Sequence, residues 1–275
     1  MENLPTRATT THTTNQLTRI FRAARLLLHI VSGLLQSAIY PHVNQKWQRR
    51  MAKNWSARLL SILGIRLRYQ GMPPPHEISR AMLVANHVSW LDVYSLQTVC
   101  PARFVAKAEI RGWPLLGWLS RNAGTLFIER SKRSDTARIN KHISEALASG
   151  DRVAVFPEGT TGDGKTLMHF HASLLQPAVT VGALMYPVAI RYTNMAGEIS
   201  TAAPYVNISM IESLRRILKE PWINVELIVG APIDSNGKNR RELARCVEHA
   251  IADALLLPVP HKTPGTPADH PSESQ

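Results

Sequence analysis

The chain has 275 residues, 44% of them apolar or aromatic and 19% charged, which suits one packed core of roughly 200 residues and excludes wholesale disorder. Glycine and proline follow no period and no segment repeats, so collagen-like and solenoid architectures are excluded; Cys100 and Cys246 are too few and too far apart for a disulfide framework or a cysteine zinc clamp, and fit a reducing compartment. Of the net charge of +12, ten units fall within residues 1–80, where twelve Lys/Arg face only Glu2 and Glu77; the near-neutral remainder speaks against nucleic acid as a partner and points to anionic lipid.

Residues 1–16 are Thr-rich and polar, and read as a disordered leader. From 17 to 63 the pattern becomes helical. Arg22, Arg25, His29, Ser32 and Gln36 form a narrow polar stripe on an otherwise apolar helix ending near Pro41. Its uncharged part, Leu26–Tyr40, is about 22 Å long, short for a hydrocarbon core of about 30 Å. Trp47, Met51, Trp55 and Leu59 recur at steps of four on a second helix that also carries Lys46, Arg49, Arg50, Lys53 and Arg58. Tryptophan among cations suits the headgroup zone, so 17–63 reads as a pair of membrane-associated amphipathic helices. The competing reading has both helices simply covering the core of a soluble domain.

Residues 64–257 alternate short β-rich runs with helical stretches, predicting a layered α/β domain: a mixed β-sheet flanked by helices. Strands are expected at 65–69, 81–85, 103–107, 124–129, 152–157, 186–192 and 223–230. Helices are expected at 90–98, 114–122, 134–149, 170–183, 208–219 and 239–256. Five prolines between 258 and 271 make 258–275 a solvated tail.

Three strand ends carry unusual chemistry. After AMLVA comes NHVSWLD, where Asp92 opens the next helix and one helical turn can fold it back onto His87. An imidazole whose second nitrogen is held by a carboxylate is fixed in tautomer and made more basic. Ser89 lies too near His87 for a serine triad and lacks a GxSxG elbow. The second end is GTLFIER, delivering Arg130. The third is FPEGTTGDGKT, a small, Gly-rich loop that lets a ligand approach the backbone. Gly159–Thr166 also satisfies G-x-x-x-x-G-K-[ST] literally, but Asp163 would point a carboxylate at the phosphates, and no later strand ends directly in an aspartate for magnesium.

In order and spacing, NHVSWLD (86–92), GTLFIER (124–130), FPEGTTGDG (156–164) and YPVAI (186–190) resemble the four blocks of the glycerophospholipid acyltransferases, most closely the bacterial 1-acyl-glycerol-3-phosphate acyltransferases. The resemblance spans roughly 64–235 and extends to the basic helical N-terminus; KAEIRGWPLLGWL (107–119) is similar to the family's Lys-x-Glu stretch. It implies that His87, oriented by Asp92, removes the proton of a lysolipid hydroxyl, which attacks the thioester of acyl-CoA or acyl carrier protein, with no covalent acyl-enzyme, metal or cofactor. It further implies that Arg130 and the loop Glu158, Gly159, Thr160 and Thr161 position the acceptor, and that a hydrophobic tunnel measures the acyl chain. The basic charge and the two N-terminal helices together lead to the expectation of the cytoplasmic face of the inner (plasma) membrane, peripheral or held by a single anchor.

One position departs from the pattern. Members that make phosphatidic acid usually carry an arginine directly after EGT, where a guanidinium suits the acceptor phosphate; here it is Thr161. Arg130 is then left to carry a phosphate, aided by Lys165 or Lys107. The first expectation is 1-acyl-sn-glycerol-3-phosphate as acceptor. A lyso-ornithine lipid, which has no phosphate, or another lysophospholipid is the alternative. A non-catalytic lipid-binding protein is a further one, but a lipid cradle has no need of a paired His and Asp.

Overall fold

A computed structural model of the protein describes residues 13–75, 78, 80–113, 116–128 and 133–260; most of the expected leader and tail, and Arg130, lie outside them. Two helices come first, α1 (Gln16–Ile39) and α2 (Gln45–Leu63), joined by a 3-10 turn at Tyr40–His42. The side chains of Asn15 and Asn44 accept the backbone N–H groups of Thr18 and Trp47, satisfying donors the first turns leave over. Gly64, at φ 76°, closes α2 in the left-handed conformation and turns the chain into the sheet.

There follow β1 (Ile65–Gln70), β2 (Ala81–Ala85), α3 (Leu91–Val99), β3 (Arg103–Lys107), α4 (Leu116–Asn122), β4 (Leu126–Ile128) and α5 (Arg133–Ala148). After them come β5 (Val153–Val155), α6 (Gln176–Val181), β6 (Leu184–Thr193), α7 (Met210–Lys219), β7 (Ile223–Val229), β8 (Ile233–Asp234) and α8 (Arg240–Leu255). All seven expected strands are present. The helix expected at 170–183 is instead a 3-10 turn, Ala172–Leu175, leading into α6, with Pro177 in the first helical turn, where its missing N–H costs nothing. The unexpected β8 is a two-residue continuation of β7 along β6, past Gly230, whose N–H bonds the Pro187 carbonyl.

The strands form one sheet in the order β1-β7-β6-β2-β5-β3-β4. β2, β5, β3 and β4 run parallel to one another and to β6, whereas β7 is antiparallel to β6. Every residue of β2 is buried, as a central strand covered on both faces must be. Ala81, Leu83 and Ala85 face a core shared with α2, α3 and α7; Met82 and Val84 face a second core with α5 and α8. The same period of two places Ala154 and Phe156 of the β5 segment, and Tyr186, Val188, Ile190 and Tyr192 of β6, on the first face.

α2 belongs to that first core, with Leu59, Leu60, Ile62 and Leu63 at most 5% exposed. α1 is different. It packs lengthwise on α2, α4 and α7, yet Leu17, Ile20, Phe21, Leu27, Leu28, Val31, Leu35 and Ile39 remain exposed along its outer side. At 24 residues it is about 36 Å long, and with the following turn it has the length and hydropathy of a membrane-crossing helix. Arg49, expected on the cationic surface, turns inward to the carbonyl of Gly150.

Burial separates the two helices energetically. Leu60→Ala, at a position 2% exposed, is expected to lower unfolding free energy by about 2–5 kcal/mol in urea titrations. Leu28→Ala, at a position 70% exposed, is expected to change it by less than about 0.5 kcal/mol.

Candidate active site

The outward step from β2 along its first face delivers His87, and α3 begins four residues later. Asp92 sits in the first turn of α3, fully buried, with its N–H on the carbonyl of Ser89. One of its oxygens, Oδ2, lies 2.8 Å from His87 Nδ1 and accepts the backbone N–H groups of Val88 (2.7 Å) and Ser89 (2.9 Å). The other, Oδ1, accepts the hydroxyl of Tyr192 at 2.7 Å. A buried carboxylate is tolerable only when its acceptor capacity is filled, and here four donors fill it. With the His87 proton on Nδ1, where Asp92 holds it, Nε2 has its lone pair free. The imidazole remains 20% exposed, enough to meet a substrate.

The ring lies flat on Phe156, centroids 4.0 Å apart and planes within 11°, and Phe156 in turn stacks on Phe104 of β3. Asn86 fixes the exit of β2: its side chain donates to the carbonyl of Ile190 (3.0 Å) and accepts the N–H of the same residue (2.7 Å), a two-way bond to β6. Burial, reinforced by the Asp92 charge, pushes the Tyr192 phenol well above its ordinary pKa, so it stays a donor.

The Gly-rich loop folds over this exit. The N–H of Gly162 bonds the His87 carbonyl at 2.7 Å, and Gly159, at φ 79°, makes the turn out of β5 in a conformation other residues avoid. Beneath it Glu158 is 6% exposed and receives the backbone N–H groups of His87 and Met168. Burial first, and the Asp92 charge behind it, push its pKa up to about 8, so at neutral pH it keeps its proton.

Residues 66–191 match a protein family described as Acyltransferase. A lyso-ornithine lipid O-acyltransferase of Pseudomonas aeruginosa is 36% identical over 249 residues, covering 88% of this chain and 95% of that one. This chain belongs to the lysolipid acyltransferase family. A 1-acyl-sn-glycerol-3-phosphate acyltransferase of Neisseria gonorrhoeae is 37% identical over 183 residues, covering 66% of this chain and 71% of its own length. The fold matches the crystal structure of the 1-acyl-sn-glycerophosphate acyltransferase PlsC of Thermotoga maritima with a TM-score of 0.62, at 22% identity, over 86% of this chain and 96% of that one.

Within this acyltransferase, the structure brings His87, Asp92 and Glu158 together, with Gly159 and the exposed Thr160 on the loop above. Lys107 is exposed at the carboxyl end of β3, on the same sheet edge as His87. Thr161 does not face outward in the way the arginine it replaces was expected to: its hydroxyl donates to the carbonyl of Tyr205, whose own N–H bonds the Val88 carbonyl. A phosphate-loop fold is absent, because no helix starts at Thr166; the chain runs irregularly to Ala172. Ser89 is fully buried, its Oγ accepting the Leu91 N–H, and takes no part in a triad.

Sequence reasoning missed Tyr192, Asn86 and Phe156. The signal for Tyr192 was its place in the inward alternation of β6, where a hydroxyl needs a buried partner.

Tyr192→Phe removes one of four donors to Asp92 and is expected to lower kcat by roughly tenfold while leaving substrate KM values near those of the unaltered enzyme, measured by steady-state acyl transfer. Glu158 has a raised pKa in the folded state, so its neutral form favours folding and its contribution falls as pH rises from about 4.5 towards 8. Glu158→Gln, which cannot ionise, is expected to flatten this loss in urea titrations run at pH 5, 6.5 and 8.

Proposed function

We propose that this enzyme acylates the free hydroxyl of a lyso-ornithine lipid at a membrane surface, taking the chain from acyl-CoA or acyl carrier protein. The reading rests on Thr161. Where a phosphate-binding member would present a guanidinium, this chain spends its side chain on the Tyr205 carbonyl, so the loop offers no cation there. The long match to the Pseudomonas aeruginosa relative supports the same acceptor. A 1-acyl-sn-glycerol-3-phosphate acceptor is the second reading, favoured by the Neisseria gonorrhoeae relative and by Lys107, exposed on the same sheet edge.

Chemically, His87 Nε2 takes the proton of the acceptor hydroxyl as its oxygen attacks the thioester carbonyl. Asp92 stabilises the imidazolium that forms and does not itself take the proton. The tetrahedral intermediate collapses by expelling the thiolate, which recovers the proton from Nε2. Arg130, Lys107 and the loop from Glu158 to Thr161 orient the acceptor, Glu158 acting through the backbone it anchors. The acyl chain lies in an apolar cavity lined by Trp55, Val93, Tyr94, Phe104 and Leu119, which adjoins the site through the Phe104 and Phe156 rings.

The exposed apolar row of α1, together with the exposed Trp47, Lys46 and Arg50 of α2, rests on the headgroup zone of an anionic leaflet, the cytoplasmic face of the inner membrane. Its lengthwise packing on α2, α4 and α7 supports a helix that lies on the surface.

His87→Ala and Asp92→Asn are each expected to cut acyl transfer by roughly 10²–10⁴-fold with the fold intact by circular dichroism. Radiolabelled acyl-CoA and acyl carrier protein, offered with a lysolipid panel, test the acceptor: lyso-ornithine lipid is expected to exceed 1-acyl-glycerol-3-phosphate at least tenfold in kcat/KM, and Thr161→Arg to narrow that gap. Preference of the unaltered enzyme for the phosphate acceptor would establish the second reading. Replacing Leu28 and Leu35 with glutamate is expected to release the protein from anionic vesicles in flotation assays.

A further inference from the structure

At the amino edge of the sheet, opposite His87, the chain concentrates charge that the reaction does not use. Arg103 opens β3, Arg152 precedes β5, and Arg49 reaches in from α2, so three arginines line one chamber with a single carboxylate among the described residues, Asp151. That carboxylate is already taken: Arg103 Nε donates to Oδ2 at 2.8 Å and Gln45 donates to Oδ1. Arg49 has a carbonyl contact, with Gly150 at 3.3 Å. Arg152 is 3% exposed; its Nη groups reach Cys100 Sγ (3.4 Å) and the Pro75 carbonyl (2.7 Å), and its Nε has no partner among the described residues. Burial, and then the like charge of Arg152, lower the pKa of Arg49. Among the described residues, Asp151 is the one carboxylate lining this polar chamber, which opens beside the α1–α2 turn.

The chamber adjoins the apolar cavity. Tyr40, Ala52, Gln97, Ala102 and Ala123 line both, so a cavity with aromatic and aliphatic walls lies directly against a pocket lined by guanidinium groups. A planar fork of N–H donors matches a carboxylate or phosphate, and an unpartnered buried donor is costly until an acceptor fills it. An alkyl chain fits the other half by simple burial.

We infer that this chamber and cavity together bind an amphiphile with an oxyanion head, carboxylate or phosphate, held by Arg49 and Arg152 with its alkyl chain in the apolar cavity. Such a ligand lies head-outward at the edge away from His87, and its tail occupies space assigned above to the acyl chain. The binding site stands without that assignment; only its inhibitory effect rests on it.

Calorimetric titration of the full chain with dodecanoate, dodecyl phosphate, dodecanol and inorganic phosphate tests the inference. Both amphiphilic anions are expected to bind at least tenfold more tightly than dodecanol, and the tighter of the two identifies the head. Arg49→Gln, at a half-buried position, is expected to weaken both anions at least fivefold without changing dodecanol, and Arg49→Lys to restore part of the loss. Dodecanol binding as well as dodecanoate, inorganic phosphate binding as well as dodecyl phosphate, or unchanged anion affinity in Arg49→Gln would overturn it. In acyl-transfer assays dodecanoate is expected to compete with the acyl donor, and Arg49→Gln to raise its inhibition constant while leaving the donor KM unchanged. Arg49-dependent binding without competition would uphold the site and remove the acyl-chain assignment instead.

Discussion

A carboxylate with no exposure to solvent is stable only if the fold brings donors to it, and Asp92 organises the carboxyl end of the sheet in that way. Its two oxygens draw in the N–H groups of the β2–α3 turn, the imidazole of His87 and the hydroxyl of Tyr192 from a different strand. Those bonds set the start of α3, the tautomer of His87 and the register at which β6 meets the turn. Asn86 adds a second tie to the same strand, through both backbone groups of Ile190. The imidazole is thus held by Asp92 at one nitrogen and by the Phe156 ring on its face, leaving the other nitrogen unengaged among the described residues.

The first half of the Gly-rich loop is built around backbone groups it must satisfy. Glu158 points down, protonated, into the backbone of the β2 exit. Thr161 points across to Tyr205, and Gly162 donates to the His87 carbonyl. The segment from Glu158 to Gly162 therefore covers the exit of β2, with Thr160 its exposed residue.

The two N-terminal helices show how one amphipathic signal divides between two physical roles. α2 gives its apolar face to the sheet and is part of the core, whereas α1 uses α2, α4 and α7 as a platform and leaves an apolar row outside. Both wall the apolar cavity, so the elements proposed to touch the lipid also shape the space proposed for the acyl chain.

The sequence by itself determined the α/β class, all seven longer strands and the pairing of His87 with Asp92, because period-two burial and a one-turn loop are local consequences of residue order. It could not separate α1 from α2, since an apolar stripe looks the same whether it meets a sheet or a bilayer. It missed the 3-10 turn that precedes α6 and the two residues of β8, which depend on what lies alongside. Tertiary structure alone decided that Tyr192, a hundred residues from Asp92 in the chain, completes its hydrogen bonds, that Glu158 is buried deeply enough to stay neutral, and that Thr161 faces the Tyr205 carbonyl. Each of these depends on contacts between segments far apart in sequence, and solvation and partner choice are properties of those contacts, not of residue order.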